Sequence, residues 1–488
     1  MFSKISSFSL TASMASASYS GHGGYGSELR ELMDDCSNFN GHVGCTSGSQ
    51  TNYPADWSSR AFQTFLKDGV DAHMYKPSYE GMGRVMCFTD IVYSSDRQSA
   101  TVTAKCRKHD SIQTMLYNFN GEGFQSNGSY KVDSSFSEAL SLVVKAVDGN
   151  GKEFTITQEP VNLLWQANHV DQAPNYKGGQ KGAIVELFGW PYADIEKECE
   201  FLSKAGYMGV KVFPAQESVL SYEWPQNGEL NPWYFIYQPT SYKLNGRNGS
   251  RAELRQMIQT CRSKGVRVYA DAVTNHMSGG GNDVWESHRN GNGGGCALWG
   301  AKASTGGDPF FTQDFMYLRS NNTQQEPGME YPGAAYIATD FHCERSLNSW
   351  TDPFQLNYGW LVGLSDLDTE SDYVRDRIAA HMVDLLSIGF SGYRMDAAKH
   401  IQPESLAAIL RKVKDKLGGG DLPDDYMTYL EVIMGGEMGL LMCNDGPYNF
   451  GKSFEDKMRA AGLSDNDIYK VKIWESAYPK EFPECGSW

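Results

Sequence analysis

Residues 392–400 read Gly-Tyr-Arg-Met-Asp-Ala-Ala-Lys-His and follow the helix-like stretch Ser371–Ile388. Gly392–Met395 reads as a short buried strand, and alternation along a strand sets Arg394 and Asp396 on one face. The same rhythm extends outward on both sides. Ala183–Phe188 (AIVELF), Gly209–Phe213 (GVKVF), Val266–Val273 (VRVYADAV) and Met427–Ile433 read as strands. Tyr192–Ala205, Ser250–Gly265, Ser371–Ile388 and Pro403–Leu417 carry helical periodicity between them. Strands that are apolar on both faces, alternating with helices, imply a parallel sheet or barrel. A long Gly-rich excursion, residues 277–364, interrupts the alternation after the third strand. Polar residues collect at strand ends: Asp271 to His276, Arg394 to His400, Glu431, and Asp366 ahead of the Ser371–Ile388 helix. Barrel enzymes place their chemistry at the C-terminal ends of the strands.

The N-terminal part has a different texture. Residues 1–19 read as a secretory signal, with small residues at Ala15-Ser16-Ala17, and residues 20–60 as a Gly/Ser/Asn-rich lead-in. Residues 61–170 hold short β-type runs such as Arg84–Tyr93, Ala100–Cys106, Leu140–Val147 and Lys152–Ile156, with the hairpin signal Asp148-Gly-Asn-Gly between the last two. This predicts an all-β sandwich, with Tyr75, Tyr79, Tyr93, Tyr117, Phe119 and Phe124 as a supply of rings for carbohydrate binding. The barrel is expected in two parts, residues 171–276 and 365–488, around the inserted subdomain 277–364.

Composition narrows the partners. The chain of 488 residues has a net charge of −16, which disfavours nucleic acid and anionic lipid. No run approaches the length of an apolar membrane-spanning helix. The 10 cysteines include no CxxC pair, which points to disulfides rather than zinc. Two carboxylates in unequal environments, Asp396 beside Arg394 and Glu431 on the next strand, are what glycoside hydrolysis needs. An adjacent Arg is expected to keep Asp396 ionised.

DAVTNH (271–276), GYRMDAAKH (392–400) and LEVIMGGE (430–437) resemble three signatures of the α-amylase family of glycoside hydrolases, in its animal-type branch. AIVELFGW (183–190), NPWYFIYQPTSYKL (231–244) and LVGLSDLDTESDYVRD (361–376) support the resemblance, which runs from Ala183 to Glu437. It implies a (β/α)8 barrel that hydrolyses internal α-1,4-glucosidic bonds of starch, glycogen or maltooligosaccharides with retention of configuration. Asp396 would be the nucleophile and Glu431 the general acid/base. Trp233, Tyr234, Tyr237, Gln238, His276, Arg394, Lys399 and His400 would bind sugar. The resemblance also implies Ca²⁺ held by Asn275, Asp366 and the carbonyls of Asn357 and His400. It implies chloride at Arg394 in chloride-dependent members, and a Cys199–Cys261 disulfide, hence secretion or an oxidising lumen. Asn357 stands where animal-type members usually carry Arg. The third family carboxylate finds no match between Cys443 and Trp488, so the reading expects a barrel without its last strands. That leaves three further expectations open: a catalytically inactive glucan-binding protein on the same scaffold, a transglycosylase, and a protein partner that covers the open barrel.

Overall fold

The computed structural model describes residues 85–108, 111–165, 182–218, 233–244, 246, 248–278, 309–311, 316–318, 331, 333–336, 340–342, 347–433 and 452–475. The expected signal and lead-in, Tyr75 and Tyr79, and the 434–451 stretch lie outside these residues.

Six antiparallel strands come first: β1 (Val85–Tyr93), β2 (Ser99–Lys108), β3 (Ile112–Phe119), β4 (Ser129–Asp133), β5 (Leu142–Asp148) and β6 (Glu153–Thr157). They form two three-stranded sheets, ordered β1-β2-β4 and β3-β5-β6. The β5–β6 hairpin closes as its sequence signal predicts, with Asp148 Oδ1 accepting from the backbone of Asn150 and Lys152. A disulfide joins Cys87 to Cys106, residues paired across β1 and β2.

After these sheets comes a six-stranded sheet of the order β14-β13-β12-β9-β8-β7, every pair parallel. Its strands are β7 (Ile184–Glu186), β8 (Gly209–Lys211), β9 (Arg267–Ala272), β12 (Gly392–Met395), β13 (Met427–Val432) and β14 (Val471–Glu475). Helices lie between consecutive strands: α1 (Tyr192–Lys204), α2 (Arg251–Ser263), α4 (Asp372–Ser387), α5 (Pro403–Lys416), then α6 (Lys452–Ala460) and α7 (Asp465–Tyr469). Strands in sequential order with intervening helices are the winding of a (β/α) barrel. The excursion contributes a small hairpin, β10 (Pro309–Phe311) with β11 (Met316–Leu318), and the helix α3 (Pro353–Tyr358). Gly392 has φ +139°, and a Cβ there would sit 1.8 Å from the Met427 carbonyl oxygen, so only glycine lets β12 meet β13. The Cys199–Cys261 disulfide implied by the resemblance is present and ties α1 to α2.

β1 shows how the two parts join. Val85, Cys87, Ile91 and Tyr93 belong to the main core, while Met86 and Phe88 on the other face pack with Ala380 of α4. A strand buried on both faces reads as a continuous apolar run, as VMCFTDIVY does. Polar ties reinforce the contact. Tyr93 Oη lies 2.7 Å from Ser387 Oγ, and Arg97 donates to the carbonyls of Leu417 and Asp421 past the end of α5. Lys416 bridges Asp90 and Asp376, and Lys105 bridges the same two carboxylates. This location changes one expectation: Tyr93 and Phe119 are buried in the core rather than presented to a sugar. Tyr117 lies under the Gly128 backbone, and Phe124 stays exposed with Lys145 above its ring.

Candidate active site

Parallel register assembles the site. Arg394 pairs with Asp271 on β9 and with Tyr429 on β13. Two residues further on, Asp396 and Glu431 therefore emerge on the same face at the strand ends. Arg394 Nη1 donates to Asp271 Oδ1 and to Asp396 Oδ1, the latter at 2.8 Å, while Nη2 contacts Glu431 Oε1. Glu431 Oε2 accepts from the Ala397 backbone N–H at 3.0 Å. Ala397 itself adopts φ 51°, in the left-handed region, where the chain turns sharply out of β12. On the other flank Lys211 lies 2.8 Å from Asp271 Oδ2 and also pairs with Glu186. Three carboxylates thus converge on one guanidinium.

Their electrostatics differ. Burial pushes Asp271 up, but Arg394 and Lys211 together hold it below the usual carboxylate range. Burial raises Glu431 to about 7, and the neighbouring Asp396 charge adds to that rise against the pull of Arg394. Asp396 is also raised, by burial first, with Arg394 opposing. Arg394, expected to keep Asp396 ionised, opposes that rise, but one cation divided among three buried carboxylates does not cancel their desolvation. Asp271 is thus lowered while Asp396 and Glu431 are raised.

Most of the other expected residues gather around this centre. Tyr237 Oη donates to Asp271 Oδ2 at 2.9 Å, and its backbone carbonyl meets His276 Nε2 at 3.0 Å. Burial lowers His276 to about 4 and His400 to about 3, so both imidazoles are neutral near pH 7. Trp233, 49% exposed, stands edge-on to Tyr234 and Tyr237. Gln238 follows in the same turn, its N–H bonded to the Phe235 carbonyl. Lys399 Nζ donates to the Ile433 carbonyl beyond Glu431, and His400 Nδ1 lies 2.8 Å from the Leu356 carbonyl of α3. Arg394 faces carboxylates, and its role here is to organise the acids.

The expected calcium residues fall into two pairs. Asn275 Nδ2 donates to Asp366 Oδ1 at 3.1 Å, and both residues are buried. Asn357 lies on α3, which packs on the turn carrying His400. Its Nδ2 bonds the Pro353 carbonyl, while its Oδ1 is buried without a hydrogen-bond partner. Oxygen donors such as the Asp366 carboxylate and backbone carbonyls are the kind a hard cation takes.

Sequence reasoning missed several contributors. Lys211 lies inside the apolar run GVKVF, and Asp271, a polar strand end in the sequence, shows no partner there. The Lys211–Asp271–Arg394 chain becomes visible only through register. Phe188, 49% exposed, packs edge-on to Phe213 and 5.5 Å from Trp233, and so widens the aromatic rim. Trp350, on the excursion, lies under Lys399 Nζ at 4.6 Å from its ring centre. β14 was not read as a strand. Asp465 and Asp467 lie in α7, where Asp467 pairs with Lys414 and completes the helix cap with Ser464.

The sequence also matches known proteins. Residues 232–429 match the family described as the alpha amylase catalytic domain. The chain is 38% identical over 235 residues to mouse pancreatic alpha-amylase 2a5, a match that covers 47% of this chain and 39% of that protein. It is 38% identical over 266 residues to an alpha-amylase of Thermomonospora curvata, covering 53% of this chain and 37% of that one. Among solved structures, alpha-amylase I of Eisenia fetida aligns with 28% identity and a TM-score of 0.41, over 60% of this chain and 48% of that one. The chain spans about two fifths of the length of the curated relatives it matches.

Proposed function

From the premise that this chain carries a catalytic domain of the α-amylase family, we propose that it hydrolyses internal α-1,4-glucosidic bonds of starch or glycogen by retaining double displacement. The single observation that supports this reading is the unequal carboxylate pair on one arginine, with Glu431 raised to about 7 beside Asp396. Protonated Glu431 gives its proton to the glycosidic oxygen as Asp396 attacks the anomeric carbon, which breaks the C–O bond and leaves a covalent glycosyl ester. Ionised Glu431 then takes a proton from water, whose oxygen displaces Asp396 and restores the starting configuration. Asp271, held ionised by Lys211 and Arg394, fixes the guanidinium that spans both acids. The aromatic rim at Trp233, Tyr234, Tyr237 and Phe188 offers ring faces to the apolar C–H faces of glucose.

Ca²⁺ would be held by Asn275, Asp366 and oxygens of Asn357 and His400, and would fasten the excursion to the barrel. Chloride takes no part in this reading, since the Arg394 guanidinium is engaged by carboxylates. The two disulfides suit secretion or an oxidising lumen. Among the described residues no helix is long and apolar enough to cross a membrane. The β sheets of residues 85–157 would serve as a docking module on the barrel helices.

A second reading, a glucan-binding protein without catalysis, draws on the same ion pairs: Glu431 is held by both Arg394 and the Ala397 N–H. A reducing-sugar assay on soluble starch, with product anomers followed by NMR, separates the two. Release of α-anomeric products that Asp396→Asn abolishes supports hydrolysis. Starch retention on an affinity gel without any product supports binding alone.

A further inference from the structure

One cluster of ionisable side chains stands apart from the strand-end acids. His342, 4% exposed, has Nδ1 2.7 Å from Asp366 Oδ2. Its Nε2 lies 2.7 Å from Glu370 Oε2 and 3.5 Å from Asp368 Oδ1. One ligand atom from each of His342, Asp368 and Glu370 lies within 4.8 Å of the other two. The second Glu370 oxygen, Oε1, is buried without a hydrogen-bond partner.

The backbone fixes these groups. Phe341 bridges Leu367, His342 N donates to the Asp366 carbonyl at 3.0 Å, and Asp368 N donates to the Asp340 carbonyl at 2.9 Å. The Trp360 indole N–H bonds the His342 carbonyl, and the Tyr358 ring stands edge-on to the imidazole at 4.8 Å. The imidazole therefore has little freedom to leave the acids.

We propose that His342, Asp368 and Glu370 form a binding site for a divalent transition ion, with Zn²⁺ the best match, and that Asp366 orients the site by holding His342 Nδ1. The donor set decides the class of ion. Ca²⁺ and Mg²⁺ select all-oxygen cages, whereas one imidazole nitrogen with two carboxylates suits Zn²⁺, Co²⁺ or Mn²⁺. A ligating histidine almost always has its other ring nitrogen on a carboxylate or carbonyl, which fixes tautomer and orientation. Asp366 stands in that position. Three protein donors leave a fourth position for water or for the second Glu370 oxygen. The donors come from two crossing segments, one in the excursion and one leading into α4, so a bound ion would staple the excursion to the barrel. Asp366 Oδ1 faces Asn275 while Oδ2 faces His342, so the site adjoins the calcium residues and shares one side chain with them.

The test uses the whole chain, stripped with chelator and reloaded with excess Ca²⁺. It is titrated with Zn²⁺ by calorimetry and with Co²⁺ by visible absorption. The expected result is one transition ion per chain beyond calcium, with a ligand-field band for Co²⁺. That band should vanish in His342→Gln, and affinity should fall at least about tenfold in Glu370→Gln and in Asp368→Asn. Circular dichroism checks the fold of each variant, and if His342→Gln does not fold, the two carboxylate variants decide. The proposal is overturned if the calcium-loaded chain takes up neither ion, or if all variants bind as the parent does. It is equally overturned if ¹⁵N NMR shows the His342 ring doubly protonated in saturating Zn²⁺, the signature of an ion-pair cluster without metal. None of these readouts depends on glucan hydrolysis.

Discussion

Two charge clusters in this chain use the same residue types and reach opposite results. Where β1 and β2 meet the barrel helices, Lys105 and Lys416 each bridge Asp90 and Asp376, so cations and carboxylates match. Burial pushes Asp376 up, but the two lysines bring it below its ordinary value. At the strand ends, Asp271, Asp396 and Glu431 converge on Arg394, and Lys211 is shared between Asp271 and Glu186. There Asp271 is lowered while Asp396 and Glu431 are raised. A balanced cluster locks two layers together. A cluster with fewer cations than carboxylates leaves two acids raised, the kind of shift acid–base chemistry uses.

The sharpest way to break this contrast is at the unbalanced cluster. Asp396→Asn removes the nucleophile, and starch hydrolysis should fall by several orders of magnitude with the melting temperature little changed. Activity near the parent level would remove Asp396 from the mechanism. Glu431→Gln should remove most turnover on starch yet spare glycosides with activated leaving groups, which need little proton donation. An equal loss on both substrate types would contradict a general-acid role. The parent's pH profile sharpens the same point. Glu431 donates only while protonated, so kcat/KM should decline as pH rises through about 7, and this limb should be missing for activated glycosides. The stability sign follows the same direction: a carboxyl raised in the folded state adds stability at low pH that is lost as pH rises through about 7.

The balanced cluster predicts a different signature. Lys416→Met leaves Asp90 and Asp376 buried with one lysine between them, and should cost about 3 kcal/mol in denaturant unfolding. The pH profile of any activity should stay where it was, and a shift would show that the junction communicates with the site. The smallest expected effect comes from calcium. At about 100 times its Kd, Ca²⁺ adds about 2.7 kcal/mol, so chelation should lower the melting temperature and speed proteolysis within residues 277–364. An unchanged melt in excess chelator would remove the ion from the account.

Much of this architecture was legible one residue at a time. GVKVF, VRVYADAV, GYRM and the Met427–Ile433 run announced parallel strands because burial on both faces leaves no polar alternation, and AIVELF read the same way although β7 is only partly buried. The strands missed are the ones whose environment is mixed. β3 has a half-exposed middle, β4 is short and polar, and β14 (VKIWE) carries two charged residues in five. The site divides the same way. Asp396 and Glu431 stood out because carboxylates at the ends of apolar strands are costly unless they do chemistry. Lys211 did not, and Asp271 stood out only as a polar strand end, since nothing local to either residue says which strand lies beside it.

The sequence by itself determined the strand–helix rhythm, the two acids proposed for catalysis, and the Cys199–Cys261 link implied by family resemblance. These depend on periodicity and on short motifs, which survive in one dimension. Only the tertiary structure decided how Arg394 is divided among three carboxylates, that β1 docks on α4 and α5, and that His342 meets Asp366, Asp368 and Glu370. Each depends on register or on packing between segments far apart in the chain. A pKa is likewise set by the charges and solvent that folding brings to a group or removes from it.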